Sequence, residues 1–135
     1  MGKFNQMTII DPDLLPDAMA EFVPSRPQIG GQPTSIVWRT GLGPVKIVNA
    51  GFTDQSRTEL VIVLADGKRY KCLSATFGGG SMPHQLVEAV KLVQASGQLV
   101  ELCVALNPVS RRAAPNYFCG FRLAGSKTDA DLISL

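Results

Sequence analysis

The sequence predicts a mainly β domain with one helix, a five-stranded barrel in which the helix falls between the third and fourth strands. Three observations carry this. Between residues 45 and 123 lie five strand-length runs rich in Val, Ile, Leu, Phe and Tyr. Asp66-Gly67 separates two of them as a hairpin dipeptide. Within this body, residues 83–95 carry the strongest apolar pattern at three- and four-residue spacing.

The elements follow in order. Residues 1–34 hold five of the nine prolines and Gly30-Gly31, which predicts an irregular arm, with a short helix over 13–22 capped by Asp13. Residues 35–39 are short and β-prone around Ile36, Val37 and Trp38, and 41–44 turn the chain. Residues 45–53 and 59–64 are strands joined by a polar turn, and 68–76 return after Asp66-Gly67. That turn is expected in its two-residue form, with both central residues at positive φ. Gly78-Gly79-Gly80-Ser81 leads into the helix, with Ser81 or Met82 at its cap and Pro83 in its first turn. Leu86, Ala89, Val90 and Val93 form its apolar stripe, and Gly97 ends it. Strands at 98–106 and 117–123 complete the body, with a loop at 107–116 and a tail from 125.

At 135 residues, 45% of them hydrophobic, the chain holds enough apolar material for one core without disulfides or metals. No apolar run approaches the ~20 residues of a spanning helix, and the first residues lack a signal-peptide pattern. A cytoplasmic, intracellular protein is expected, with no membrane partner. Cys72, Cys103 and Cys119 sit in apolar strand patterns without a CxxC pair. They read as buried thiols, and neither metal nor cofactor is expected. His84 is the only histidine, and no carboxylate pair has acid–base spacing, so no catalytic residue is assigned and an enzyme is not expected. The glycines before the helix lack the lysine and spacing of a phosphate loop.

Charge is divided unevenly. Residues 1–34 sum to −2, 35–124 to +5 and 125–135 to −1. A basic body between acidic ends favours an anionic polymer as partner. Lys68, Arg69 and Lys71 interleave with Tyr70 on the returning hairpin strand, so Arg69 and Lys71 share one face and Tyr70 and Cys72 the other. Arg111 and Arg112 lie in a loop bounded by Pro108 and Pro115, suited to phosphate oxygens. Trp38, Phe52, Tyr70 and Tyr117 are the candidate stacking aromatics, and Lys46 joins the basic set.

The order strand, strand, strand, helix, strand, strand over 45–123 resembles the oligonucleotide-binding (OB) fold, a five-stranded Greek-key barrel. The resemblance lies in element order, which an α+β sheet covered on one face by the helix would share. It implies a ligand face on the second and third strands with their loops, which here means Lys68, Arg69, Tyr70 and Lys71, closed over by the loop holding Arg111 and Arg112. The tail TDADLISL at 128–135 looks like the acidic, apolar-tipped tails with which bacterial single-stranded DNA-binding proteins recruit partners. It has fewer acids and lacks the family's terminal proline-phenylalanine.

The sequence therefore reads as three parts: a Pro-rich arm over 1–34, an OB-like β domain over 35–124 and an acidic tail over 125–135. The expected function is binding of single-stranded nucleic acid, with DNA favoured, in a phage or plasmid replication or recombination system. A homo-oligomer and a protein partner for the tail are expected alongside. The alternative is a structural or assembly component, such as a virion part, whose arm makes protein–protein contacts.

Overall fold

The structure, a computed structural model, describes residues 21–124. Its register is set by one hairpin. β5 (Glu59–Leu64) and β6 (Arg69–Leu73) pair antiparallel, with Leu60 opposite Cys72 and Ile62 opposite Tyr70. The turn between them is one residue longer than the two-residue form. The Gly67 N–H donates to the Leu64 carbonyl at 2.8 Å, and the Leu64 N–H donates to the Lys68 carbonyl at 2.9 Å. Gly67 has φ 90°, whereas Asp66 keeps a negative φ. This is a three-residue loop, a type I turn closed by a left-handed glycine. The extra residue matters because strand side chains alternate, so a one-residue slip exchanges the faces. With this register Tyr70 lies beside Ile62, inside.

β4 (Val45–Phe52) pairs with β5, and the register shifts between Ile47 and Asn49. Such a bulge bends a strand. β7 (Leu99–Ala105) carries β4 and then β3 (Ile36–Trp38) along one edge and β8 (Gly120–Leu123) along the other. These strand pairs are all antiparallel, and the sheet curls strongly into a half-barrel. One further contact spans the open side. Lys71 and Tyr117 form a parallel bridge, in which the Lys71 N–H donates to the Asn116 carbonyl and the Phe118 N–H donates to the Lys71 carbonyl, both at 2.9 Å.

Helix α1 (His84–Ser96) packs on β4. Its buried residues Leu86, Val87, Ala89, Val90 and Val93 join Ile47, Ile62, Leu102 and Phe121 in one core. Each buried Val or Leu contributes about 1.5–3 kcal/mol relative to exposure. Gly97 ends the helix in the left-handed region, as its position implies. The start differs from expectation. Pro83 is itself the cap residue and makes no side-chain cap bond. Met82 turns inward, its Sδ 3.9 Å from the Cys72 Sγ. The strand expected over 68–76 ends at Leu73, where a 3-10 turn (Ser74–Phe77) takes over, and the last strand begins at Gly120 rather than 117.

Residues 21–34 correct the expectation of an irregular arm standing off the body. Phe22 and Phe121 exchange backbone hydrogen bonds of 3.0 and 2.8 Å. β1 (Gln28–Ile29) and β2 (Gln32–Pro33) form a small hairpin. Ile29, Ile36, Trp38 and Phe77 cover Cys103, Ala105 and Cys119. The physical reason is that β7 is apolar on its inner face and, Glu101 apart, on its outer face too, so burying Cys103 and Ala105 requires a second layer outside the barrel. The helix expected over 13–22 lies almost wholly outside the described residues, as does the tail from 125.

Candidate nucleic-acid interface

The outer face of β4–β5–β6 is built by alternation. Asn49 and Gly51 on β4, Val61 and Val63 on β5, and Arg69 and Lys71 on β6 share that side. A Cβ placed on Gly51 would meet nothing within 4 Å, so the sheet is uncovered there. Arg69 and Lys71 are exposed, and Lys71 Nζ lies 3.6 Å from Glu59 Oε2. Lys68 stands exposed at the hairpin turn, its N–H bound to Asp66 Oδ1 at 2.9 Å. Lys46 is exposed on β4, and its chain reaches Gly97 at the end of α1. Its carbonyl accepts from the Ala65 N–H in the hairpin turn at 3.0 Å, so its backbone lies beside the hairpin while its side chain reaches the end of the helix.

Two loops border this face. In the 53–58 loop, the Asp54 carboxylate accepts from the Thr58 N–H, the Thr58 hydroxyl and the Glu59 N–H. Its pKa is lowered chiefly by the Thr58 hydroxyl, against desolvation. In the 106–119 loop, Asn107 Oδ1 accepts from the Val109 and Ser110 N–H groups at 2.8 and 2.9 Å, and the Asn107 N–H donates to the Arg112 carbonyl. Arg111 and Arg112 are exposed on this tight turn. Among the described residues the non-glycine positions with positive φ are Arg57, Arg111 and Asn116, at 58°, 61° and 62°. All three lie in these two loops. Backbone strain of this kind concentrates where a loop is shaped for contact.

The stacking candidates fare unequally. Tyr70 is 4% exposed and belongs to the core, which corrects its assignment as a stacking platform. The cause is the three-residue turn, which puts its parity inward. Trp38 is half-buried, and the Arg122 guanidinium lies 3.9 Å from its ring centroid while bonding Glu101 at 2.7 Å. Its ring is therefore already occupied by a cation. Phe52 packs partly into the core, with Arg57 4.7 Å over its ring. Tyr117 is half-buried, as Trp38 is, but stands beside Lys71 at the bridge across the open side, and among the described residues no cation lies over its ring. It is the stacking candidate that the geometry leaves best placed.

Two residues escaped the sequence reading. Arg39 donates from Nε to the Tyr117 carbonyl at 3.0 Å and from Nη2 to the Ala114 carbonyl, and its guanidinium lies 5.5 Å from the Tyr70 ring centroid. It ties the loop to the body. Arg57 borders the face from the other loop. Nothing in their local sequence marked either: Arg39 acts through contacts distant in the chain, and Arg57 lies over Phe52, five residues before it, only because the turn between them folds back. The thiols are chemically quiet. Burial pushes Cys72 well up, and the hydrogen bond to Cys119, 3.8 Å away, together with burial pushes Cys103 up. Among the described residues no group of three or more His, Cys, Asp or Glu could hold a metal ion, and no helix is long and apolar enough to cross a membrane.

Comparison with known proteins decides nothing further. No family model, curated protein or solved structure matches the chain. The reading of this face rests on its own residues.

Proposed function

We propose that the chain binds single-stranded nucleic acid, DNA in preference, through the outer face of β5–β6 and the two loops beside it. The observation that carries this is the bridge between Lys71 and Tyr117. With it, the pairings run β4–β5–β6, then through residues 116–118 into β8, then β7 and back to β4. A ring in that order, with one parallel contact and a helix after its third strand, supports an OB Greek-key arrangement. It also sets Tyr117 beside a cationic strand, the combination of stacking surface and phosphate track that single-strand binders use. Arg69, Lys71, Arg111 and Arg112 supply phosphate contacts, Arg57 and Lys68 extend the track, and Tyr117 stacks a base. Such a module serves replication or recombination, assembles as a homo-oligomer, works in the cytoplasm and needs no cofactor or catalysis.

Fluorescence anisotropy with labelled oligo-dT, oligo-U and duplex across a salt series tests this. Each phosphate contact adds about 0.7 to the magnitude of the log–log salt slope on single strands. Arg111→Ala with Arg112→Ala is expected to weaken all sequences alike and flatten the slope by about 1.4. Absence of oligonucleotide binding at low salt overturns the reading. The chain is then an assembly component, and the docked 21–34 layer over β7 becomes its natural contact surface.

A further inference from the structure

Beneath the β7–β8 loop lies a cleft of about 490 Å³, within the roughly 300–1,000 Å³ span of small-molecule sites. We propose that it binds a small apolar monoanion, an aryl or branched-alkyl carboxylate. The site shares Arg112 and Tyr117 with the proposed nucleic-acid surface, so the two ligands would compete there, but its test does not require that an oligonucleotide bind.

The cleft exists because small side chains line it. Ala105, Ser110, Ala113, Ala114 and Cys119 leave space that larger residues would fill. Leu73, Val104 and Phe118 give it an apolar floor, and Tyr117 an aromatic wall. Its walls are held apart. The Leu106–Ala113 bridge fixes the base of the loop, and the Asn107 side chain shapes its tip. Arg39 holds the carbonyls of Ala114 and Tyr117, and the backbone of Lys71 holds residues 116–118. A pinned loop cannot collapse to close the space, so the cavity is present before any ligand arrives, which reduces the ordering cost of binding.

Charge selects the ligand. Arg112 is the one ionisable cation among the lining residues, no carboxylate lines the cleft, and among the described residues none lies within 4 Å of Arg112. Asn107 and Ser110 add polar groups to the lining. An apolar body with one carboxylate matches this arrangement. A neutral analogue leaves Arg112 unused, and a cation is repelled.

Titrate the full chain with 2-naphthoate, 2-naphthol and 2-naphthylmethylammonium. Follow heat and the amide resonances of Ala113 and Tyr117. Saturable 1:1 binding of naphthoate is expected, with shifts at both amides. Naphthol should bind about fivefold more weakly, the size of a solvent-edged ion pair. Arg112→Gln should erase the difference between naphthoate and naphthol. Ala113→Leu fills the cleft from the loop and Thr76→Leu from the other wall. Both should abolish binding while leaving the denaturation midpoint near that of the wild type. The proposal is overturned by an absence of saturable shifts, by equal affinity for anion and cation, or by binding that survives in both filled variants.

Discussion

Gly120→Ala is expected to prise residues 22–24 off the last strand. A Cβ at position 120 would lie 2.2 Å from the Phe22 carbonyl oxygen, 2.9 Å from Pro24 Cδ and 3.3 Å from Cys103 Sγ. The first of these is backbone, so no rotamer change relieves it. Either Phe22 moves or β8 leaves β7. Phe22 is the cheaper to move, because β8 carries Phe121 and Leu123 into the core. Displacing it breaks the two Phe22–Phe121 hydrogen bonds, each worth about 0.5–1.5 kcal/mol net. It also disturbs the edge-on contact of Phe22 with Phe77, whose centroids lie 5.7 Å apart and which contributes about 0.5–1.5 kcal/mol. The total is about 3 kcal/mol. At a urea m-value of about 1.5 kcal/mol/M, the midpoint falls by about 2 M. Hydrogen exchange should show Phe22 and Phe121 amides deprotected ahead of β5, and chymotrypsin should cut after Phe22. A variant as stable as the wild type, with the Phe22 amide still protected, would refute the close approach.

Tyr70→Ala and Tyr117→Ala should separate core from surface: the first destabilises by about 3–5 kcal/mol as a buried aromatic truncation, whereas the second leaves the urea midpoint nearly unchanged and weakens oligonucleotide binding by about 1–3 kcal/mol. Val90→Asp should destabilise by several kcal/mol in urea melts, because it puts an unpaired charge in the core beneath α1. Asp54 has a folded pKa below its ordinary value of 3.8, so its contribution is complete above that value and is lost as pH falls through the folded pKa. Amide shifts of Thr58 and Glu59 should therefore titrate together below about pH 4, and Asp54→Asn should abolish that titration.

Much of the architecture was legible where one physical signal acted alone. The 3.6-residue stripe of Leu86, Val90 and Val93 located α1, and the run from Glu59 to Leu64 located β5 to the residue. Legibility ended where two signals competed. Glu59–Leu64 is apolar on both faces, so it could not say which parity of β6 lies inside; the turn length did, and Tyr70 went with it. Leu99–Ala105 is likewise apolar on both faces apart from Glu101, and that was an unused sign that residues 21–38 must cover Cys103 and Ala105 on its outer side. The cations of the candidate face were readable as exposed residues, but Arg39 and Arg57 were not. Their partners, Tyr117 and Met82, are brought to them only by the tertiary fold.

The docking of residues 21–24 onto β8 has a consequence for synthesis. The Leu123 N–H donates to the Glu21 carboxylate across 102 positions of chain, and Arg39 reaches Tyr117 across 78. Contacts so distant form only after the intervening chain has been ordered, and such topologies fold slowly. During translation the hairpin of β5 and β6 and helix α1 are complete before β8 emerges, while Phe22, made earlier still, waits for that last strand to pair with. Until it arrives, the edge of β7 that β8 will pair stands open, the state most exposed to misassociation. The residues that finish the fold are thus also those that end its most vulnerable interval on the ribosome.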